Sequence, residues 1–232
     1  MKQSGLPRNS REGRNDRLDL TFTLMSSDRK VRKFIRQWRK RYPYPVEWVD
    51  DRANKQCRRS EAKWLAQLDG AVTLRRREIV ALIEWRFSHQ ANRREQALGG
   101  ATGAAESGHA KRCIKKALAT SNPVTALDCL LGERGGIPGW GPVMASVVLA
   151  ACRPNTYAVA DYRALRTLRA LDLCSPCAED EFVRADWQPY LRTCWKLASL
   201  CGLSLREVHQ ALWAAADEAP GMPKASKHPK AW

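Results

Sequence analysis

Leu130-Leu-Gly-Glu-Arg-Gly-Gly-Ile-Pro-Gly-Trp-Gly-Pro-Val-Met-Ala-Ser-Val-Val-Leu149 is the stretch on which the reading of this chain turns. Ile137-Pro138-Gly139-Trp140-Gly141 stands between two helical runs, and two glycines around one apolar residue make a tight turn with exposed backbone N–H groups. Pro142 suits the first position of the next helix, where its missing N–H would go unbonded anyway. Ala145 is small enough for that helix to pack closely on its partner. The segment therefore predicts helix, hairpin and helix over about residues 130–152. Amides at the start of the second helix can hold a nucleic-acid phosphate oxygen without any side chain. Gly139, Trp140, Gly141 and Val143 are accordingly the candidate DNA contacts.

Working outward, nearly every segment carries helical period. Val31, Phe34, Ile35 and Trp38 fall at i, i+3, i+4 and i+7 and form one apolar stripe. Around it stand Arg29, Lys30, Arg32, Lys33, Arg36, Arg39, Lys40 and Arg41, so this helix is either a phosphate-backbone contact or a plain surface helix of the fold. Pro43 and Pro45 end it. Ser60 caps a short helix from Glu61 to Asp69, closed by Gly70. A longer helix is expected from about Thr73, with Ile79, Val80, Leu82, Ile83 and Trp85 as its buried side. Residues 96–108, QALGGATGAAESG, read as a Gly-rich loop between two sub-blocks. Helices recur at about 109–119, at 123–132 behind the Asn122 cap, and from 142. Ser204 and Glu207 form a capping box that opens a last helix with Val208, Leu212 and Trp213 inward. No internal repeat and no strand-like alternation of useful length occurs. The expected class is all-α, with one domain over 27–218 between a disordered basic N-terminus (1–26) and a disordered tail (219–232).

Composition agrees with a folded, cationic chain. Its 232 residues suffice for a core without disulfide staples, and 44% hydrophobic with 28% charged residues excludes disordered and fibrous classes. The longest near-continuous apolar run, Val143 to Cys152, falls far short of the roughly 20 residues a membrane span needs. The polar start MKQSGLPRNSREGRNDRLDL has no apolar core of a secretory signal, so the expected address is cytoplasmic, nucleoid-associated in a bacterium. Net charge is +16, and residues 1–100 hold 24 basic against 12 acidic residues, whereas the remainder holds 16 against 12. Nucleic acid is the first partner such a balance suggests; an acidic membrane surface is the second, and a solvated basic surface the neutral alternative.

Eight cysteines in a chain read as cytosolic argue against a disulfide framework. Cys174-x2-Cys177 followed by Cys194-x6-Cys201 is the one cluster with metal-like spacing. Ser175-Pro176 also reads as a cap and first helical residue, so the first pair can simply bracket a helix start. Cys152, Cys194 and Cys201 sit in apolar stretches typical of buried free thiols. His89, His109, His209 and His228 show no ligand spacing and no partnered nucleophile. Tryptophans 48, 64, 85, 187, 195 and 213 read chiefly as core, with a stacking platform or wedge as the alternative.

The hairpin resembles that of the helix-hairpin-helix DNA glycosylase superfamily, whose pattern runs L-P-G-apolar-G-x-x-x-A. Tyr157-Ala-Val-Ala-Asp161-Tyr-Arg-Ala-Leu-Arg-Thr-Leu168 is similar to its second signature, an apolar approach to an Asp that opens an Arg-bearing helix. Val143 stands where lyase-type members carry a catalytic Lys, and the eighteen positions from it to Asp161 match the endonuclease III branch. Motif support covers about residues 109–172. The resemblance implies an all-α helical bundle of that type, probing duplex DNA as a monomer, and a flipped base cut from its sugar with Asp161 as the catalytic carboxylate.

Each part answers a need of that chemistry. Extruding a nucleotide costs a few kcal/mol per unstacked base, so a backbone anchor beside the pocket is required. Cleavage of the N-glycosidic bond develops positive charge on the sugar, which a carboxylate stabilises while aligning or deprotonating the attacking water. Asp161 also reads as the N-cap of the helix from Tyr162, and both roles are compatible. Val143 offers no amine for a Schiff base, so hydrolysis without strand cleavage is implied. Tyr162 is the candidate for the base pocket, and Arg163 for a phosphate; ordinary helix surface is the alternative for both. The iron–sulfur spacing of some relatives is not matched. No cofactor is required, and a monovalent cation on hairpin carbonyls enters by resemblance alone. The competing function is a noncatalytic helix-hairpin-helix DNA-binding protein, and a third reading is an adaptor for an acidic protein.

Overall fold

The computed structural model describes residues 15–41 (side chains from residue 28), 65–87, 90–174 and 181–216. Its full-length helices are α1 Asn15–Lys40, α2 Arg76–Arg86, α3 Ala91–Glu106, α4 His109–Ala119, α5 Pro123–Asp128, α6 Pro142–Cys152, α7 Tyr162–Ala170, α8 Trp187–Cys201 and α9 Leu205–Ala215. Among the described residues there is no strand, only an isolated bridge between Leu131 and Ile137. The protein is all-α over this range.

Local chemistry sets several helix ends. Asn122 Oδ1 accepts the N–H groups of Val124 and Thr125 at the start of α5, with Pro123 in the first helical position. Ser204 Oγ accepts the Glu207 N–H while the Glu207 carboxylate accepts the Ser204 N–H, which completes the expected capping box. Gly202 closes α8 in the left-handed region at φ 65°.

Packing places α6 at the centre. Met144, Ala145, Val147, Val148, Leu149, Ala151 and Cys152 are all buried, the pattern of a helix covered on every side. It touches α2, α4 and α5. On the other flank α1 packs on α9 and α8, and α9 packs on α7. The α1 stripe behaves as its spacing predicts: Ile35 and Trp38 are buried, whereas Arg29, Lys30, Arg32, Lys33, Arg36, Gln37 and Lys40 are exposed.

Four expectations are corrected. Residues 96–106 are helix rather than loop, because the small residues serve close packing: Ala97, Ala101 and Ala104 are buried, and a Cβ on Gly100 would lie 1.6 Å from the Pro138 oxygen. The N-terminal helix begins at Asn15, inside the stretch read as disordered. The helix expected from Thr73 begins at Arg76, with Glu78 returning its carboxylate to the Arg75 N–H. The helix expected over 123–132 stops at Asp128 and is followed by a 3-10 turn, Gly132–Arg134. The Ser60 cap, Trp48, Trp64, His89, His228, Cys57, Cys177, the Ser175-Pro176 start and the 219–232 tail lie outside the described residues.

Candidate functional site

The hairpin is a closed backbone circuit. Ile137 N–H donates to the Leu130 carbonyl at 3.1 Å, Gly136 N–H to that of Leu131 at 2.9 Å, and Gly132 N–H to that of Trp140 at 3.0 Å. His109, at the start of α4, adds an Nε2–H bond to the Gly136 carbonyl at 2.8 Å. Gly139 has φ +76°, and a Cβ there would lie 2.7 Å from the Gln96 oxygen of α3. Conformation and contact both require glycine at that position.

Gly141 differs. Its φ is −96°, a conformation any residue adopts, and a Cβ built there meets nothing within 4 Å. The N–H groups of Gly141, Val143 and Met144 have no acceptor among the described residues, as the first turn of a helix leaves them. This is the open edge of the hairpin. The Trp140 side chain does not join it, so among the candidate DNA contacts this residue could serve only through its backbone. Its indole is 2% exposed and donates Nε1–H to the Ala97 carbonyl at 3.3 Å. The large ring fills the junction with α3 that small residues leave open.

Asp161 caps α7, its Oδ1 accepting the Arg163 N–H at 2.8 Å. Its Oδ2 accepts from Arg86 Nη2, at the end of α2, at 2.9 Å, and the residue is 5% exposed. Ser146 ties the backbone just before this residue to the hairpin helix: its hydroxyl donates to the Val143 carbonyl at 2.8 Å and accepts the Ala160 N–H at 2.8 Å. Tyr190 hydroxyl holds the Val159 carbonyl at 2.8 Å. The approach to Asp161 is thus pinned one and two residues upstream, and the eighteen-residue interval is closed across space by one buried serine.

Cations and aromatics gather beside this carboxylate. The Arg163 guanidinium lies 4.3 Å from the Trp213 ring centre, and that of Arg206 lies 5.2 Å from that of Trp85. Arg206 Nη1 donates to His209 Nδ1 at 2.9 Å, so the imidazole hydrogen sits on Nε2, which is buried without a hydrogen-bond partner. Burial, reinforced by Arg206 and Arg86, holds His209 well below the usual imidazole range. It is therefore neutral near pH 7. Tyr162, the first residue of α7, is half-buried at the same end.

Arg86, Arg206, His209 and Ser146 are the residues that sequence reasoning missed. Arg86 and Asp161 are 75 positions apart, and no periodicity links them. The described cysteines bring no such cluster: Cys113, Cys152, Cys194 and Cys201 are buried free thiols, and burial pushes Cys152 and Cys194 up to about 12. No group of three His, Cys, Asp or Glu side chains among the described residues is placed to hold a metal ion. Comparison with protein-family models, with curated proteins and with solved structures finds no match.

Proposed function

We propose that this protein is a monofunctional DNA glycosylase of the helix-hairpin-helix type, which flips a damaged, mismatched or hypermodified base from duplex DNA and hydrolyses its N-glycosidic bond. One observation carries the reading: a hairpin with unused first-turn amides is joined through Ser146 to the Ala160 backbone, one residue before a buried carboxylate at the next helix N-terminus. A phosphate seated on the Gly141 and Val143 amides would be held by oriented N–H groups in the field of a helix N-terminus. Asp161 would then face the sugar of the extruded nucleotide.

In the reaction, the bond between C1′ and the base nitrogen breaks and its electron pair leaves with the base, which takes up a proton. The Asp161 carboxylate stabilises the cationic sugar, water adds its oxygen to C1′, and the water proton passes to the carboxylate or to solvent. Val143 supplies no amine, so the product is an abasic strand that breaks only in alkali. The residues invoked call for no cofactor; a monovalent cation on the hairpin carbonyls stays part of the proposal, as do a monomeric state and a cytoplasmic address. Repair and defence against phage DNA with modified bases both fit this chemistry.

The noncatalytic DNA-binding reading has its own support. Both Asp161 oxygens are already engaged, one by the Arg163 N–H and one by Arg86, so catalysis requires the Arg86 pair to yield when a nucleotide enters. Incubation with a panel of normal and modified duplexes, followed by mass spectrometry of released bases and alkali treatment of the strand, separates the readings. Free base with alkali-labile sites supports the enzyme; tight binding with no released base from any duplex leaves the binding protein.

A further inference from the structure

The outer face of α1 is a cationic strip. Arg29, Arg32, Lys33, Arg36, Gln37 and Lys40 line one shallow hollow along it, and all are exposed. From Arg29 to Arg41 the chain has no acidic residue. Arg39 is paired with Glu207, and Arg36 donates to the Cys201 carbonyl at 3.2 Å. Arg29, Lys30, Arg32, Lys33 and Lys40 meet no carboxylate among the described residues. Like charges three and four positions apart destabilise a helix, so the strip opposes α1's own stability.

The fold restricts what such a strip can bind. An amphipathic helix enters a bilayer by its apolar face, but Ile35 and Trp38 are already buried against the bundle. Only charge is left to offer, which suits a regular row of phosphates. Position supplies the second constraint. The hairpin is seated on α3 and α4 through Gly139, Gly100 and His109, whereas α1 packs on α9 and α8. The Arg39–Glu207 pair brings the C-terminal end of α1 beside Arg206, whose partners His209 and Trp85 adjoin the Asp161 cluster.

We infer that the outer face of α1 binds the phosphate backbone of duplex DNA on the flank opposite the one held by the hairpin, giving the protein a two-armed grip about Asp161. The inference rests on the DNA reading and adds to it a second contact surface and a polarity. The eleven steps from Arg29 to Lys40, at about 1.5 Å rise each, span roughly 16 Å, which is about five base pairs at 3.4 Å each.

The test uses the full chain and a duplex with a stable abasic-site analogue at its centre, so that the register is defined without knowing the base. Arg29→Gln, Arg32→Gln and Lys33→Gln together keep the helix, because glutamine is as good a helix former. The triple variant should bind about tenfold or more weakly at low salt, and its log-log salt slope should be shallower by roughly 2 to 3. Removing about five base pairs from one flank of the duplex should abolish the difference between variant and parent; removing them from the other flank should preserve it. Unchanged affinity and slope, or a deficit indifferent to which flank is cut, overturns the inference while leaving the hairpin reading standing. A parent chain that ignores DNA and instead binds acidic vesicles or an acidic polypeptide overturns both.

Discussion

Asp161 carries two structural bonds, and these determine how its chemistry can be tested. Asparagine keeps an oxygen for the Arg163 N–H and is itself a good cap, so α7 should survive Asp161→Asn. The Arg86 guanidinium loses its anion. Because its side chain is a fifth exposed, water offsets part of that loss and the expected destabilisation is about 1–3 kcal/mol, read by urea unfolding. If the carboxylate acts mainly as the bond breaks, the folded variant should retain DNA affinity and lose base release by orders of magnitude. Near-parental base release by Asp161→Asn would falsify the catalytic assignment.

His209 makes a second prediction at this scale. Its folded pKa lies below the unfolded value near 6.5, so below that pH the unfolded chain binds a proton that the native imidazole refuses. Its contribution to stability is complete above 6.5 and falls as pH drops, at up to about 1.4 kcal/mol per pH unit. Unfolding free energies of the parent and of His209→Gln should converge or cross between pH 7 and 5.5. Parallel curves would show that the imidazole titrates freely in the native state.

At the scale of elements, the glycines of α3 divide by what lies against them. Gly99 and Gly103 face open space, so alanine there should stabilise by about 0.5–1 kcal/mol through helix propensity alone. Gly100 has the same propensity to gain, but its Cβ would collide with the Pro138 carbonyl at 1.6 Å. Backbone cannot rotate aside as a side chain can, and Gly100→Ala should instead cost about 1–3 kcal/mol and loosen the hairpin. Chemical denaturation of the three variants checks the contrast. The same contact explains why composition misled over residues 96–106. Glycine signals a loop when its conformational freedom is used, and here its lack of volume is used instead.

For the whole molecule, the hairpin and the charge distribution predict how binding responds to mutation and salt. Gly141→Val introduces a side chain where there is open space and an extended backbone, so stability should change by no more than about 1 kcal/mol. DNA affinity should nevertheless fall on every sequence, because the branched side chain stands beside the amides that would meet the phosphate. Unchanged affinity in that folded variant removes the hairpin from the interface. Binding by the parent should weaken steeply with salt, each phosphate contact contributing about −0.9 to the log-log slope. A flat response would point to a protein partner.

What the sequence by itself determined is what forms within a few residues along the chain. The Asn122 and Ser204 caps, the α1 stripe, the turn at Gly139 and the Asp161 cap all depend on neighbours within eight positions, where backbone geometry translates spacing directly into contact. Tertiary structure alone decided which distant groups meet. It paired Asp161 with Arg86, turned the Trp140 ring inward onto Ala97, set Ser146 between hairpin and carboxylate, and made a helix of a glycine-rich run because Pro138 needed to approach it. Those contacts join residues between 14 and 75 positions apart, and local pattern cannot specify them: their partners are chosen by which helix faces the core buries together.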